Sequence, residues 1–600
     1  MKSYQSVRKE FLSFFEKRGH KIVPSSSLIP TDSSVLFTSA GMQQFKPYFL
    51  GEESPYGKRV ASCQKCLRTS DIESVGDDTH LTFFEMPGNF SFGDYFKKEA
   101  IQYALEFLTE NCKLKMEDLW FTYFKGEDGV PEDTESKKIL ESLGIPKERI
   151  FGFGKKENFW GPTGVSGPCG PTVEIHYQLS NIPCDKKEKC CPNCQCGRFV
   201  EIWNLVFNEY YQDENKNLKP LRQKGVDTGM GLERLIAVVN NKENIFETDL
   251  FLPLIETINF HSKKDYSQHK PAFRIIADHI KASVFLISEG IVPGKTEREY
   301  VLRRLLRRCI RYAKMIEADP TLLIAVAKKV IEIYSSVYPE LSRNKEKIFT
   351  VIQNEEEKFI KTIDRGLKEM EKILQEGQNL IKGEKAFYLY ETFGFPLELI
   401  EEIAKEKGFK VDKEGFFHAQ KKHQEISRIG SSRKFGGVGI DLIDDQKEKE
   451  KVIKLHTATH LLHQALRNVL GNEVKQMGSD INPERLRFDF SFPRKLTKEE
   501  IEEVEKIVNE QIQKGLVVIR KEMTLDEALK MGALAFFKER YPEKVSVYII
   551  GEKDDPIGRA FSKEVCAGPH VNNTSELGKF RIIKEESCGA GVRRIKAVLE

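Results

Sequence analysis

The chain has 600 residues, with 94 Lys and Arg against 91 Asp and Glu and a formal net charge of +3. This length exceeds what one hydrophobic core supports, so we expect about three or four domains. The near-neutral charge excludes a polycation that binds nucleic acid by charge alone, although it permits local basic faces. No segment is long and apolar enough to cross a membrane, and the amino terminus lacks a signal-peptide core. We therefore predict a cytoplasmic protein that does not enter a membrane.

The amino-terminal part predicts a helix over residues 3–18, and then a strand, a turn and a short helix over residues 35–51. A long hairpin follows, with Arg68 on its first arm and aromatic residues on its second arm, residues 82–96. Antiparallel pairing would bring a phosphate-neutralising arginine close to rings that can stack on a purine. For a hairpin alone, the simpler interpretation is aromatic residues in a core and an arginine at a solvated edge.

A second pair of strand ends converges between residues 201 and 235. An apolar run is followed by a polar loop at residues 213–217, and the chain returns through Asp227 into Gly229, Gly231 and a helix. Glycines leave the backbone open to a phosphate, and Arg234 lies one helical turn further on. Asp227 near the cleft floor would suit an ammonium group. The glycine spacing alone does not exclude an ordinary strand–turn–helix with capping glycines.

Five of the twelve cysteines lie within thirteen residues. They are Cys184, Cys190, Cys191, Cys194 and Cys196. Thiolates at such spacing can hold a tetrahedral zinc ion and fix a loop that is too short for its own core. The alternative is a set of reduced thiols in an insertion, and the spacing does not choose four ligands from five.

After about residue 248 the pattern changes to long helices. One of them, YVLRRLLRRCIRYAK, has an apolar side formed by leucines and an arginine-rich side. Such arginine runs are usually solvated faces, but this density in a balanced chain favours RNA contact. The four arginines that we predict to contact RNA are Arg303, Arg304, Arg307 and Arg308. A glycine-rich linker is predicted at residues 431–437, after which a new domain begins.

The last domain contains a second candidate site. In KLHTATHLLHQAL, His456 and His460 are spaced i and i+4, so they share one helical face and can share one metal ion. Cys566 and His570, in CAGPH, could supply two more ligands from a loop. A histidine pair on a helix is often only a surface feature, and His463 is a competing ligand one turn further on.

Five ordered segments resemble the alanyl-tRNA synthetase family of class II enzymes. They are FTSAGMQQFKPYFLG, TFFEMPGNFSFGDYF, NFWGPTGVSGPCGP, EIWNLVF and VDTGMGLERL. The resemblance implies an α+β multidomain fold built on an antiparallel sheet with flanking helices. It further implies a catalytic domain at residues 1–248, a mainly helical domain that recognises the tRNA acceptor stem at 249–445, and an α+β editing domain at 446–600.

The resemblance also implies roles for single residues. Arg68 would bind the ATP α-phosphate, Arg234 the adenine and γ-phosphate, and Asp227 the alanine ammonium. Further nucleotide contacts would come from Met86, Trp160, Ile202, Trp203, Asn204 and Gly231. Further alanine contacts would come from Met42, Trp160, Asn204, Val206 and Gly229. Glu398 would join the four arginines in binding tRNA, Gln476 would serve editing, and zinc would be held by His456, His460, Cys566 and His570.

The implied activity is ATP- and Mg²⁺-dependent attachment of L-alanine to tRNA(Ala), with hydrolysis of mischarged seryl- and glycyl-tRNA. The alternatives are a free-standing deacylase and an RNA-binding protein that carries an inactive synthetase domain. Because the chain ends at Glu600, after the editing domain, the tail that helps family members to dimerise is absent. We therefore expect a monomer.

Overall fold

A computed structural model describes residues 2–179, 184, 190–194, 196–375, 379–432, 445–535, 544–589 and 591–600. The chain forms two compact units, Met1–Asp412 and Lys413–Glu600. The division into three domains at residues 248 and 445 stays a prediction. The glycine-rich part of the predicted linker, from residue 433 onward, lies outside the described residues.

The first unit is built around a large sheet. Its strands are β1 (Lys21–Ile22), β2 (Arg59–Leu67), β3 (Phe83–Phe92), β4 (Leu119–Phe124), β5 (Ile150–Phe153), β6 (Phe159–Trp160), β7 (Gly167–Gln178), β8 (Phe199–Gln212) and β9 (Leu218–Met230). They run in the order β1-β2-β3-β9-β8-β7-β4-β5, with β6 paired to β7. The pairs β1–β2 and β4–β5 are parallel, and the other pairs are antiparallel. Two short parallel strands, β10 (Leu380–Ile381) and β11 (Lys410–Val411), form a separate pair.

Helices flank the sheet and fill the rest of this unit. They are α1 (Tyr4–Glu16), α2 (Lys46–Phe49), α3 (Lys97–Glu106), α4 (Thr134–Ser142), α5 (Lys155–Asn158), α6 (Leu232–Val239), α7 (Leu252–His261), α8 (Lys270–Ser288), α9 (Glu297–Met315), α10 (Leu322–Tyr334), α11 (Glu340–Arg343), α12 (Lys345–Gln375), α13 (Gly383–Phe393) and α14 (Leu397–Glu406). The change to long helices after residue 248 is thus observed.

The predicted hairpin is formed by β2 and β3, which pair from Arg59–Ser91 to Leu67–Phe83. Both strands are almost entirely buried, which agrees with their apolar and aromatic sequences. Arg68 directly follows the last paired residue of β2, so the register places this arginine at the end of the hairpin where the segment that connects the two strands begins.

The second unit has two antiparallel sheets and a core of its own. Its elements are α15 (Lys413–Ser432), α16 (Gln446–Leu470), β12 (Gln476–Asn482), β13 (Arg485–Ser491), α17 (Lys498–Gln513), β14 (Val517–Thr524), α18 (Leu525–Lys530), β15 (Lys544–Glu552), β16 (Asp555–Val565), β17 (Phe580–Gly589) and β18 (Val592–Leu599). One sheet has the order β12-β13-β18-β17 and the other β14-β15-β16. Leu461, Leu462 and Leu466 of α16 are fully buried in the core of this unit.

Among the described residues, no helix has both the length and the apolar character that a membrane crossing requires.

Candidate active site and candidate metal centres

A cavity of about 290 Å³ lies over the middle strands of the large sheet. Ten of the predicted nucleotide and alanine contacts line it: Arg68, Met86, Trp160, Ile202, Asn204, Val206, Asp227, Gly229, Gly231 and Arg234. They come from β3, β6, β8, β9, the start of α6 and the end of the β2–β3 hairpin. The strand register brings them together, because Asn204 pairs with Gly229 and Val206 pairs with Asp227.

Arg68 makes three contacts at the loop end of the hairpin, one through its backbone and two through its side chain. Its backbone N–H donates to the Thr82 carbonyl at 3.0 Å, and its Nε donates to the Ser39 carbonyl at 3.2 Å. Its guanidinium carbon lies 5.2 Å from the centre of the Phe84 ring. The other guanidinium nitrogens face the cavity wall with no acceptor among the described residues, and Phe84 itself lines the cavity. A cation and an aromatic ring are therefore neighbours, as the hairpin pattern predicted.

Asp227 is a buried carboxyl group, only 4 % exposed, on the floor of the cavity. Burial raises its pKa to about 8. Next to it, Asn204 donates from Nδ2 to Glu174 at 3.2 Å, while its buried Oδ1 has no hydrogen-bond partner among the described residues. A carboxylate and an unpaired carbonyl oxygen are acceptors that suit an ammonium group.

Gly229 keeps this part of the cavity open, and Gly231 follows it at the start of a helix. A Cβ on Gly229 would lie 2.7 Å from Met86 Sδ, so any side chain there would displace the methionine that forms the cavity wall. Gly231 is the N-cap of α6. Arg234 follows in the first turn of that helix, where its guanidinium donates to the Glu201 carbonyl at 3.2 Å and lies 3.7 Å from the Glu201 carboxylate.

Trp203 and Met42, two predicted contact residues, do not line the cavity. Trp203 is fully buried on the other side of β8, against Phe11 and Phe107, because successive strand residues face opposite sides and Ile202 and Asn204 already face the cavity. Met42 is also fully buried, in the core beneath the cavity.

Several cavity residues were not predicted. They include Ala40, His80, Lys156, Glu174, Glu201 and Glu233. The two-residue alternation could have found Glu174, since it lies in the EIHY segment of β7 and pairs with Asn204. Glu233 is already bonded to protein groups. Its carboxylate accepts from the Glu85 N–H of the hairpin and pairs with Lys281 at 3.2 Å.

The predicted tRNA-binding arginines of α9 are paired inside the first unit. Arg303 lies 3.5 Å from Glu355, Arg307 also pairs with Glu355, and Arg304 contacts Glu73 and lies 3.5 Å from Glu398. Glu398 also accepts from the Tyr300 hydroxyl at 2.8 Å.

Arg308 differs from the prediction most clearly. It is only 7 % exposed and is surrounded by acceptors, because its side of α9 packs inward instead of facing solvent. This burial contradicts a phosphate contact by Arg308 in this conformation, while tRNA contact by Arg303, Arg304, Arg307 and Glu398 stays a prediction.

In the second unit, His456, His460, Cys566 and His570 form the cluster that the sequence predicted. One candidate ligand atom from each lies within 4.8 Å of the others. The Nδ1 atoms of two histidines contact protein groups: that of His456 lies 3.2 Å from the Pro569 carbonyl, and that of His570 lies 3.2 Å from Thr457 Oγ1. Their Nε2 atoms are left for a metal, and His570 Nε2 is a buried atom without a partner among the described residues.

The surroundings of this cluster also fit a metal. Burial lowers the pKa of His456 to about 3 and that of His570 well below its usual value, so both imidazoles are neutral, as ligands must be. His463 is not a fourth histidine ligand. Its Nδ1 lies 2.8 Å from the Glu564 carboxylate, which also lies 3.9 Å from His460 Nδ1.

The other predicted editing residue, Gln476, is the first residue of β12. Its amide donates to Ser479 Oγ at 3.1 Å.

In the first unit, four of the five clustered cysteines lie close together and the fifth does not belong to their group. The sulfur atoms of Cys184, Cys190, Cys194 and Cys196 lie within 4.8 Å of one another, and Cys191 is not part of this group. The Cys184–Cys194 distance is 3.5 Å and the Cys190–Cys196 distance 3.6 Å. Cys184, Cys190, Cys194 and Cys196 are therefore the candidate ligand set among the five clustered cysteines.

Comparison with known proteins agrees with this fold and site. A family model described as tRNA synthetases class II (A) matches residues 6–477, which is more than half of the chain and includes the whole cavity. A second model, described as Threonyl and Alanyl tRNA synthetase second additional domain, matches residues 545–596, with Cys566 and His570. The predicted α+β class II fold is confirmed.

Curated relatives give the family within this class. The chain is 47% identical over 602 residues to the alanine--tRNA ligase of Borrelia hermsii and 48% identical over 602 residues to that of Borreliella afzelii, with 99% of both chains covered in each case. It is 46% identical over 606 residues to the alanine--tRNA ligase of Treponema pallidum, covering 99% of this chain and 98% of the relative. The chain therefore belongs to the alanine--tRNA ligase family of class II tRNA synthetases.

Proposed function

We propose that this chain attaches L-alanine to tRNA(Ala) through an alanyl-adenylate and hydrolyses mischarged seryl- and glycyl-tRNA(Ala). The observation that carries the first part is the cavity in which Arg68, Asp227 and Arg234 converge. The names of the curated relatives support it. This function belongs in the cytoplasm, where we predict the protein to act.

Activation needs a cation at the phosphorus that is attacked. The alanine carboxylate forms a bond to the α-phosphorus of ATP as the bond to pyrophosphate breaks, so negative charge moves onto the leaving group. Arg68 would bind the α-phosphate, and Arg234 would bind the adenine and the γ-phosphate. Mg²⁺, which prefers carboxylate and phosphate oxygens, would fit the Glu174 and Glu201 carboxylates that line the cavity and would neutralise phosphate charge. Positioning and charge stabilisation then supply most of the catalysis.

The alanine part of the cavity explains selectivity. Asp227 and the unpaired Asn204 Oδ1 would accept from the ammonium, while Val206 and Trp160 border the space for the methyl group. A tRNA 3′-terminal adenosine hydroxyl then attacks the alanyl carbonyl carbon, and AMP leaves. A pocket of this kind excludes larger side chains by their volume.

The pocket excludes amino acids that are smaller than alanine or close to it in size less strongly than it excludes larger ones. The editing site is proposed to remove these amino acids after they have been attached. One missing methyl group is worth only about 1 to 3 kcal/mol, and an apolar pocket rejects an added hydroxyl poorly. Glycine and serine are therefore attached at times. The His456, His460, Cys566 and His570 cluster fits Zn²⁺ in ligand type and spacing, and the ion would supply Lewis-acid polarisation when bound. Gln476 is proposed to contact the mischarged ester.

The Asp227 assignment predicts that alanine binding releases a proton. With a pKa of about 8, Asp227 is mostly protonated at pH 7 in the free protein, but the alanine ammonium favours the carboxylate. Alanine binding at pH 7 should therefore release close to one proton, and alanine affinity should rise by up to about tenfold per pH unit until about pH 8. Calorimetry in buffers of different ionisation enthalpy measures the proton, and KM for alanine against pH measures the affinity.

Two variants control this experiment. Asp227→Asn lacks the titrating group and should release no proton with any alanine that it still binds. Asp249→Asn changes another carboxyl whose pKa is raised by burial, but Asp249 lies outside the cavity, where it accepts from the Tyr4 N–H at 2.8 Å. That variant should release the proton normally. Alanine binding whose heat is independent of the buffer would contradict the role of Asp227.

We further propose that Cys184, Cys190, Cys194 and Cys196 hold a structural zinc ion that is separate from the editing metal. In a Cys566→Ala background, metal analysis should find about one zinc per chain, since four thiolates form a closed site. Adding Cys190→Ser should remove that zinc, whereas the matched change Cys191→Ser should keep it. If the Cys566→Ala chain carries no zinc, or if Cys191→Ser loses it, the proposed ligand set is incorrect.

The protein is proposed to be a monomer. The long helix α12 buries its apolar side within the first unit, including Ile348, Ile352, Phe359 and Ile363, so this side does not offer a seam for a second chain. Light scattering on the purified chain should give the mass of one chain at all concentrations. A dimer that persists on dilution would refute this prediction.

A further inference from the structure

A buried chain of polar groups lies behind Arg68 and is not explained by contact with a substrate. It begins at Thr82, the residue before β3. The Thr82 carbonyl accepts from the Arg68 N–H at 3.0 Å, and the Thr82 N–H donates to Asp278 Oδ1 at 3.0 Å. Asp278 belongs to α8 and is fully buried. One residue therefore connects the backbone of the arginine in the cavity to a buried carboxylate in a helix.

The next group, His279, has its protonation state fixed by its neighbours. A terminal guanidinium nitrogen of Arg308 lies 2.8 Å from His279 Nε2, and a guanidinium has only donors. His279 Nε2 must therefore accept, so Nδ1 carries the proton and donates to Asp278 Oδ2 at 2.8 Å. Burial lowers the pKa of His279, in agreement with the neutral ring.

Arg308 of α9 is linked to two segments that neighbour Arg68. The same terminal nitrogen that contacts His279 also donates to the Ile72 carbonyl at 2.6 Å, in the segment that follows Arg68. On its other edge, Arg308 binds the Glu402 carboxylate of α14 through two nitrogens, at 3.1 and 2.8 Å. A paired guanidinium of this kind has a fixed orientation. Arg308 thus holds the segment after Arg68 directly and holds Thr82 through His279 and Asp278.

The chemistry of this chain favours positioning over simple stabilisation. Burying charged groups costs several kcal/mol per ion before pairing, and apolar packing of the same volume is often as stable. Hydrogen-bonded ions supply direction, which apolar groups do not, because Arg308, His279 and Asp278 are each bonded to defined partners. At the ends of this chain are Thr82, whose carbonyl accepts from the Arg68 N–H, and the Ile72 carbonyl, four residues after Arg68.

We propose that Arg308, His279 and Asp278 are positioning residues that set Arg68 for the α-phosphate of ATP. The proposal rests on the proposed function, in which Arg68 binds that phosphate. It assigns Arg308 a role in the first reaction step, which does not require tRNA, although this arginine lies on the helix that the sequence associates with tRNA. Misplacing a reacting group by about 1 Å costs on the order of 100-fold in rate, so small shifts at Thr82 or Ile72 should be measurable.

The test compares Arg308→Gln and Asp278→Asn with a matched control, Arg311→Gln. Arg311 is on the same helix, is also buried and pairs with Glu406 at 2.5 Å. We expect Arg308→Gln and Asp278→Asn to lower kcat/KM for ATP in alanine-dependent pyrophosphate exchange by about 10- to 100-fold, with KM for alanine changed less than about twofold. Arg311→Gln should lower the melting temperature by a similar amount and keep the ATP parameters.

One more variant and one binding measurement distinguish a positioning role of Arg308 from a purely structural role. Arg308→Lys keeps the charge but loses the paired geometry, so it should recover part of kcat/KM, and it replaces Arg308→Gln if that variant does not fold. The ATP dissociation constant, measured by calorimetry, should rise in Arg308→Gln but not in Arg311→Gln. Equal ATP parameters in these two folded variants would overturn the proposal. A parent protein that binds ATP but exchanges no pyrophosphate with alanine would instead contradict the proposed function, while the dissociation constants would still test positioning.

Discussion

Replacing Arg68 with alanine is expected to lower alanine-dependent pyrophosphate exchange by about 100-fold or more, on the order of 3 kcal/mol of transition-state stabilisation. At the loop end of the β2–β3 hairpin, the Arg68 backbone N–H donates to the Thr82 carbonyl and the guanidinium donates from Nε to the Ser39 carbonyl. Its free donors would meet the phosphate whose charge changes in the reaction. The loss should therefore appear in kcat as well as in KM for ATP.

The matched control for Arg68 is Arg59→Ala. Arg59 begins the same strand at its other end, where it pairs with Asp94 outside the cavity. This variant should exchange pyrophosphate at close to the parental rate. Near-normal exchange by Arg68→Ala would remove Arg68 from the mechanism.

Replacing Cys566 with alanine is expected to abolish editing while alanine activation stays intact. Cys566 supplies the only sulfur of the His456, His460, Cys566 and His570 group, and its Sγ lies 3.4 Å from His456 Nε2. Loss of a residue that merely supports a ligand costs about 10- to 100-fold in metal affinity or activity. Loss of the ligand itself should slow seryl-tRNA deacylation by about 100-fold or more, and seryl- and glycyl-tRNA(Ala) should accumulate.

Cys588→Ala controls for the removal of a thiol, since Cys588 is an exposed cysteine of the same unit outside the ligand group. It should clear seryl-tRNA at the parental rate. Clearance at that rate by Cys566→Ala would mean that the metal site or the editing role is misassigned. Pyrophosphate exchange measured on both variants separates loss of editing from general damage to the protein.

Local pattern predicted the elements that form the cavity but not always the direction of their side chains. The hairpin, the polar loop and the helix that begins after Gly231 all follow from turn residues and apolar runs. Ten of the predicted contact residues line the cavity, because cross-strand pairing fixes which of them meet, and their roles stay predictions. Trp203 does not line the cavity, because the two-residue period of β8 places its side chain on the face of the strand opposite to Ile202 and Asn204. A family resemblance assigns roles by motif and does not show this direction.

Features that depend on distant partners could not be predicted from local sequence. The sequence of α9 predicts a basic stripe of arginines on one side of the helix. In the structure, Arg307 and Arg308 form buried ion pairs with Glu355 and Glu402, which lie about 50 to 100 residues further along the chain. The four-of-five choice among the clustered cysteines likewise required coordinates, since Cys190 and Cys191 are adjacent in sequence and differ only in where the backbone points their sulfur atoms.

ATP–pyrophosphate exchange by the unmodified chain, with alanine as the only amino acid, tests the central claim most directly. Asp227, Arg68 and Arg234 line one cavity, and we propose that they bind the alanine ammonium, the α-phosphate and the γ-phosphate, so exchange should depend on alanine and should require no tRNA. Serine and glycine should support slower exchange, because the methyl pocket discriminates against them only weakly. No exchange above background with alanine, from a folded chain with ATP and Mg²⁺ present, would contradict the account and favour a deacylase or an RNA-binding protein with an inactive synthetase domain.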